Sequence, residues 1–90
     1  MPAMINDPEA IQKFRNELLE LVDGLQEQLK RTDAAMEEVA ASWKDEQFKK
    51  YHREFTKDRD IFPPLCKDIE EFEAGPLYQL QTILEEYNNL

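Results

Sequence analysis

The residues Ser42-Trp43-Lys44-Asp45 lie near the middle of this 90-residue chain and separate two long amphipathic stretches. Ser42 is followed three positions later by Asp45, a spacing typical of the capping box at the start of a helix. The pattern predicts that one helix ends at 40–42, with Ser42 as the cap of a second helix and a turn at 42–45. Because short connections make neighbouring helices antiparallel, the turn predicts a helical hairpin.

The stretch before the turn carries apolar or small residues every three or four positions, as on one face of an α-helix. Asp7 can cap this helix and Pro8 suits its first position, so we predict a helix at about 8–41. A stripe of this length is typical of a hairpin arm or a coiled coil. It consists of Ile11, Phe14, Leu18, Val22, Leu25, Leu29, Thr32, Met36, Val39 and Trp43.

The stretch after the turn carries a second stripe with the same spacing, in which Asp58 is the one polar member. Prolines interrupt it twice, so we predict a segmented arm at about 45–60, 61–73 and 76–89. The sequence leaves open whether Pro63-Pro64 kinks or breaks the arm. The simplest arrangement is a restart with Asp60 as cap and both prolines in the first turn. The apolar members are Phe48, Tyr51, Phe55, Phe62, Leu65, Ile69 and Phe72, followed by Leu80, Ile83, Tyr87 and Leu90.

The charge balance excludes several kinds of partner. With 11 basic and 20 acidic side chains the net charge is −9, whereas binding to nucleic acid or to an anionic membrane surface needs clustered cations. The stretch 44–59 is locally basic, but six basic and four acidic side chains leave a net of only +2. We interpret these charges as matched within the protein or between subunits. We therefore expect no nucleic acid and no membrane as partner.

Catalysis and cofactor binding have little support in the sequence. His52 is the only histidine and Cys66 the only cysteine, and Cys66 lies in an apolar pattern typical of a small buried residue. A zinc site needs three or four ligands, and a di-metal carboxylate site needs Glu-x-x-His elements that are absent here. We therefore expect no catalytic residue, no metal, no cofactor and no small-molecule substrate. The rival class is a small enzyme or metal carrier built on a helical bundle.

Two expectations follow from folding the chain back about Trp43. The Trp43 ring either closes the end of the core, with its indole N–H bonded to a nearby carbonyl, or anchors a partner; we favour the core role. Opposite charges should also meet near both ends of the hairpin. The expected neighbours are Glu37 and Glu38 with Lys49 and Lys50, and Lys13 and Arg15 with Glu71 and Glu73.

These features resemble the WXG family of small helical hairpins, which type VII secretion systems handle and which usually form homodimers or heterodimers as four-helix bundles. The resemblance covers roughly 11–87. It rests on the chain length, on Trp43 near the middle, and on the aromatics Phe48, Tyr51 and Phe55 that follow it.

The chain departs from the family pattern in three respects. One is that Pro63-Pro64 and Gly75-Pro76 interrupt the long second helix that such proteins usually have. Asp45 stands where the Trp-Xaa-Gly triplet has glycine, although an aspartate can also serve as a helix cap. The usual Tyr-x-x-x-Asp/Glu export signal is not found, since Thr82 lies four positions after Tyr78 and only three residues follow Tyr87. The resemblance thus implies a fold and a mode of association more than it implies export.

The sequence therefore predicts an all-α antiparallel hairpin with a kinked or segmented second arm that dimerises into a four-helix-bundle-like assembly. Its turn motif is Ser42, Trp43 and Asp45. The predicted interface or core residues are Phe14, Leu18, Val22, Leu25, Leu29, Met36, Phe48, Tyr51, Phe55, Phe62, Leu65, Ile69, Phe72, Leu80, Ile83 and Tyr87.

The predicted function is that of a non-catalytic protein–protein interaction module, either a WXG-like secretion-associated protein or a partner of a larger secreted protein. The partner would be a similar hairpin, as homodimer or heterodimer. The alternative is a small cytosolic chaperone or adaptor of another bacterial secretion or toxin system. Residues 1–7 lack the basic and apolar regions of an ordinary signal peptide. We therefore expect a cytoplasmic protein or one secreted without a cleaved signal.

Overall fold

The computed structural model describes residues 7–89, which are helical throughout most of their length and contain no strand. Helix α1 spans Pro8–Ser42. The second arm consists of α2 (Glu46–Arg59), α3 (Phe62–Phe72), a π-helical turn (Glu73–Leu77) and α4 (Tyr78–Asn88). The predicted all-α class is confirmed.

The two arms run antiparallel along most of their length. The beginning of α1 packs against α4, its middle packs against α3, and its end packs against α2. The molecule measures 68 × 21 × 17 Å and its radius of gyration is 20.2 Å, against about 12 Å for a compact domain of this length. The shape is that of an elongated hairpin with one layer of contact between its arms.

The beginning of α1 follows the sequence prediction, whereas the turn does not. The Asp7 carboxylate accepts a hydrogen bond from the Ala10 backbone N–H (3.1 Å). Ser42 was expected to cap α2, but it is the last residue of α1 and its hydroxyl donates to the Val39 carbonyl (3.3 Å). The cap of α2 is Asp45, whose extended backbone (φ −86°, ψ 173°) suits that position.

The joint between α2 and α3 also differs from the prediction in its cap. Asp60 ends α2, with its backbone N–H bonded to the Thr56 carbonyl (3.0 Å), so the prediction that Asp60 caps α3 was wrong. Helix α3 begins after Ile61 without a side-chain cap. Pro63 and Pro64 lie in its first turn, as predicted, because backbone N–H groups there need no partner within the helix.

The second proline site does not interrupt the arm. A break before Pro76 was expected, yet the chain passes from α3 through the π-helical turn into α4 without leaving helical geometry. Proline lacks the N–H that a regular α-helix needs and its ring clashes with the preceding turn. The wider π turn, in which each bond spans five residues, accommodates that ring. The arm is therefore continuous from 62 to 88.

The core between the arms is narrow. Among the described residues the buried hydrophobic side chains are Val22, Phe48, Cys66 and Leu77, so the expectation of a buried Cys66 is confirmed. Of the predicted interface or core set, only Val22 and Phe48 are buried. Leu18, Leu25, Leu29, Met36, Phe55 and Ile69 are half-buried, while Phe14, Tyr51, Phe62, Leu65, Phe72, Leu80, Ile83 and Tyr87 are exposed. Leu90 lies outside the described residues.

Candidate interaction face

The two broad sides of the hairpin differ in chemistry. On one side an open apolar groove runs between α1 and the second arm. Its part near the turn is lined by Thr32, Ala35, Met36, Val39, Trp43, Phe48, Tyr51 and Phe55, and its middle part by Leu25, Gln28, Leu29, Thr32, Phe55, Asp58, Arg59 and Phe62. The other side presents mostly charged or polar groups, which include Asp33, Glu37, Lys49, His52, Arg53 and Asp60.

The apolar side continues toward the open end of the hairpin. In α1, Leu21 and Phe14 precede Leu25 by four and eleven positions and therefore share its side of the helix. In the second arm the row extends from Phe62 at helical spacing. We call this whole surface the apolar face: Phe14, Leu21, Leu25, Gln28, Thr32, Ala35 and Val39 of α1, with Tyr51, Phe55, Asp58, Phe62, Leu65, Ile69, Phe72, Leu80, Ile83 and Tyr87 of the second arm.

The apolar face has no cover within the described chain. Beyond the π turn the core positions of α4 are Leu77 and Gln81, so Leu80, Ile83 and Tyr87 lie to one side of the core and not in it. Ile83 is 60% exposed and Tyr87 is 62% exposed. A contiguous apolar surface of this length is typical of an interaction site.

The turn joins its aromatic side chain to the start of α2. The Trp43 indole N–H donates to the Asp45 carboxylate (2.7 Å), and the Phe48 backbone N–H donates to the other carboxylate oxygen (2.8 Å). Both bonds lower the pKa of Asp45 below its ordinary 3.8, and the bond from Phe48 has the larger effect. The expected carbonyl partner of Trp43 was wrong, because this carboxylate takes its place.

The Trp43 ring belongs partly to the core and partly to the surface. It packs against the Phe48 ring with centroids 5.2 Å apart, and the Phe48 ring in turn neighbours the His52 ring with centroids 5.7 Å apart. Trp43 nevertheless remains 43% exposed and borders the apolar face. Trp43 therefore both packs in the core and contributes to the surface, the two alternatives that the sequence left open.

A polar network closes the open end of the hairpin. The Arg15 guanidinium bonds to the Glu73 carboxylate (2.7 Å) and the Gln81 side-chain carbonyl (2.8 Å), and Gln81 donates to Gln12 (2.9 Å). The guanidinium also lies over the Tyr78 ring, 5.1 Å from its centroid. Glu73 and Gln81 are buried. The network confirms the predicted meeting of Arg15 with Glu73 and fixes the register of α1 against α4.

The charge pairs nearer the turn differ from the prediction. Lys49 bonds to Glu46 of its own helix (3.2 Å), and no ion pair of Glu37 or Glu38 is found in the described part of the chain. The pair that joins the arms here is Arg59 with Asp33, through two nearly parallel bonds of 3.0 and 2.8 Å.

The sequence pattern gave no sign of the Arg59–Asp33 pair, because both residues lie outside the apolar stripes. The Arg59 guanidinium lowers the pKa of Asp33 through these hydrogen bonds, and Asp33 in turn raises the pKa of Arg59. The pair engages the Arg59 guanidinium with Asp33, although the Arg59 side chain also lines the apolar groove. Among residues 7–89, no cation forms an ion pair with the adjacent Asp58 carboxylate.

Two further observations concern residues 7–89. No three histidine, cysteine or carboxylate side chains stand together in a way that could hold a metal ion. No helix in this range has the length and apolar character needed to cross a membrane.

The fold and this surface define a class: a two-armed helical hairpin with one long uncovered apolar face. Comparison with known proteins does not narrow that class. No protein-family model matches the sequence. No curated protein and no solved structure shows a significant match either.

Proposed function

We propose that this protein is a non-catalytic interaction module that covers its apolar face with helices of another chain, in an assembly like a four-helix bundle. One observation carries the proposal. Fourteen large apolar side chains within 7–89 are at least 37% exposed, whereas only four hydrophobic side chains are buried. A hairpin that buries so little of its apolar surface gains much of its stability from association.

The first candidate is a WXG-like role associated with a secretion system, in which this module is a secreted protein or the partner of a larger secreted one. It is supported by the hairpin itself, by Trp43 at the turn, and by the role of Asp45. In the Trp43-Lys44-Asp45 triplet the aspartate caps α2 and also holds the indole. A residue other than glycine can therefore complete a tight turn of this kind.

The alternative is a small cytosolic chaperone or adaptor that shields a helical segment of a client protein. The net charge of −9 favours this candidate, because an acidic hairpin keeps a bound apolar segment in solution. Both candidate functions use the same apolar face, so the same surface substitutions should weaken binding in either case.

The proposed function is tested by two matched leucine substitutions in α1. Leu21 belongs to the apolar face and is 49% exposed, whereas Leu19 is 40% exposed and lies two positions away, on a different side of the helix. Leu21→Glu should weaken association, measured by sedimentation equilibrium, by about tenfold or more, because it places a charge in the covered surface. Leu19→Glu should have a much smaller effect. Equal effects, or none, would contradict the assignment of the face.

A further inference from the structure

Asp58 is the one charged side chain in the second-arm row of the apolar face. It lies three positions after Phe55 and four before Phe62, so it projects from the same side of the arm as these two rings. Leu25 and Leu29 of α1 border the same part of the groove. A carboxylate therefore stands in apolar surroundings near the middle of the surface that a partner would cover.

No group within the described chain neutralises Asp58. Its carboxylate takes part in none of the ion pairs or side-chain hydrogen bonds found among residues 7–89. The adjacent Arg59 bonds to Asp33 (2.8 Å) and approaches Asp60 (3.5 Å). The Asp58 side chain is exposed in the separate hairpin, and a partner that covers the groove would shield it from solvent. A carboxylate covered without a cation is strongly destabilising.

A second copy of this chain is poorly suited to cover Asp58. The α1 row of the apolar face contains no charged residue, and the second-arm row contains only Asp58 itself. Arg59 also lines the groove, but its guanidinium is paired with Asp33 (2.8 Å). Two copies packed face to face would therefore enclose two carboxylates with no cation from either apolar row. The net charge of −9 on each chain adds long-range repulsion.

We propose that Asp58 selects the partner: a different, basic chain whose amphipathic helix places a lysine or arginine within its own apolar row, opposite Asp58. This inference rests on the proposed function and names the chemistry of the partner. The aliphatic stem of such a side chain packs along Phe55 and Phe62, and its charged head reaches the carboxylate. A polar position of this kind within an apolar seam sets register and partner choice at some expense of stability.

The first test compares self-association of Asp58→Asn and Asp58→Leu with the wild type by sedimentation equilibrium. Both variants should self-associate about tenfold more tightly, because each removes the charge that a second copy cannot neutralise. Asp23→Asn is the matched control. Asp23 is exposed and lies two positions from both Leu21 and Leu25, so it is off the apolar face. Wild-type and Asp58 variants that self-associate equally would overturn the proposal.

The second test uses synthetic amphipathic helices of four heptads that differ only at one central position of the apolar row, which is lysine, norleucine or glutamate. The wild type should bind the lysine peptide about tenfold more tightly than the norleucine peptide, as measured by calorimetry. Asp58→Lys should reverse the preference in favour of glutamate. A preference for lysine that persists unchanged in Asp58→Leu would overturn the proposal.

The two tests separate this proposal from the proposed function. If the wild type and all Asp58 variants associate to the same extent, the apolar face is an interaction site and Asp58 is not its selector. If no variant associates with itself or with any peptide, both proposals are wrong.

Discussion

At the scale of the residue, Asp45 joins the two parts of the turn. One carboxylate oxygen caps α2 and the other holds the Trp43 indole. A single side chain thereby fixes both the start of the second arm and the position of the aromatic ring that closes the first. The turn contains no glycine and no residue with positive φ among those described.

Asp45→Ala should lower the melting temperature by several degrees, because it removes the cap and the indole partner together. Trp43→Phe, which removes only the indole donor and keeps a ring against Phe48, should have a smaller effect. Thermal unfolding followed by circular dichroism at one protein concentration measures both, with Asp23→Asn as control. An Asp45→Ala variant as stable as the control would show that the turn does not depend on this carboxylate.

The lowered pKa of Asp45 gives this contribution a pH dependence of known sign. Because the folded pKa lies below the ordinary 3.8, the stabilisation is fully present above that value and is lost as the pH falls through the folded pKa. The difference in melting temperature between wild type and Asp45→Asn should therefore shrink on acidification below pH 3.8. A difference that grows on acidification would contradict this assignment.

Removing one partner of the buried pair Arg15–Glu73 should lower the free energy of unfolding more than removing both partners. Arg15→Met leaves Glu73 buried without a partner and should destabilise the protein by about 3 kcal/mol. The double variant Arg15→Met/Glu73→Leu should recover much of that loss, because neither charge remains. Urea unfolding of the four forms at equal concentration measures the coupling. Additive effects of the two substitutions would show that the pair is not coupled.

The residue scale is also where sequence reasoning failed most often. The apolar phase predicted the buried position of Val22 and the aromatic row after the turn. The cap was assigned to Ser42, when Asp45 has the same capacity and only the observed backbone distinguishes them. The Arg59–Asp33 pair was missed because the apolar spacing does not indicate which charged residues outside the stripes will pair.

At the scale of the element, the second arm shows how prolines can be placed in a helix without ending it. Pro63 and Pro64 occupy the first turn of α3, where their missing N–H groups leave nothing unbonded. Pro76 lies inside a π turn that links α3 to α4. The sequence predicted the positions of both irregularities. It could not predict the second as a π turn, because a helix break and a π turn both satisfy the same apolar spacing.

The structure changes what is expected on deletion of residues 76–90. If α4, with its 11 residues, made few contacts, its deletion would leave the remaining hairpin helical and weaken only association. In the structure, Leu77 and Gln81 are buried against the beginning of α1, and Gln81 bonds to Arg15 and Gln12. The deletion should therefore also release the first turns of α1.

Hydrogen exchange measures this effect directly. Amides of residues 8–18 should lose protection in the truncated chain, because their packing partner has been removed. Glu86→Gln is the control, since this exposed side chain of α4 lies outside the apolar face and makes no contact with Gln81 among the bonds described above. Unchanged protection of 8–18 in the truncated chain would show that α4 is a separable binding element.

At the scale of the whole molecule, the apolar stripes are wider than the contact between the two arms. Helix α1 alone has 35 residues and is about 52 Å long at 1.5 Å per residue, so the hairpin is long but only two helices thick. One seam between two helices cannot cover stripes that are wider than that seam. The sequence could predict this surplus. It could not identify the covering chain, because that chain contributes no residue to this sequence.

Coverage of the apolar face by another protein chain is tested most directly by thermal unfolding, over a hundredfold range of concentration of the protein alone and of the protein mixed with the lysine peptide. If covering the face stabilises the fold, the melting temperature should rise steadily with the concentration of the covering chain, whether that is a second copy or the peptide. A melting temperature that stays constant across both ranges would contradict this conclusion.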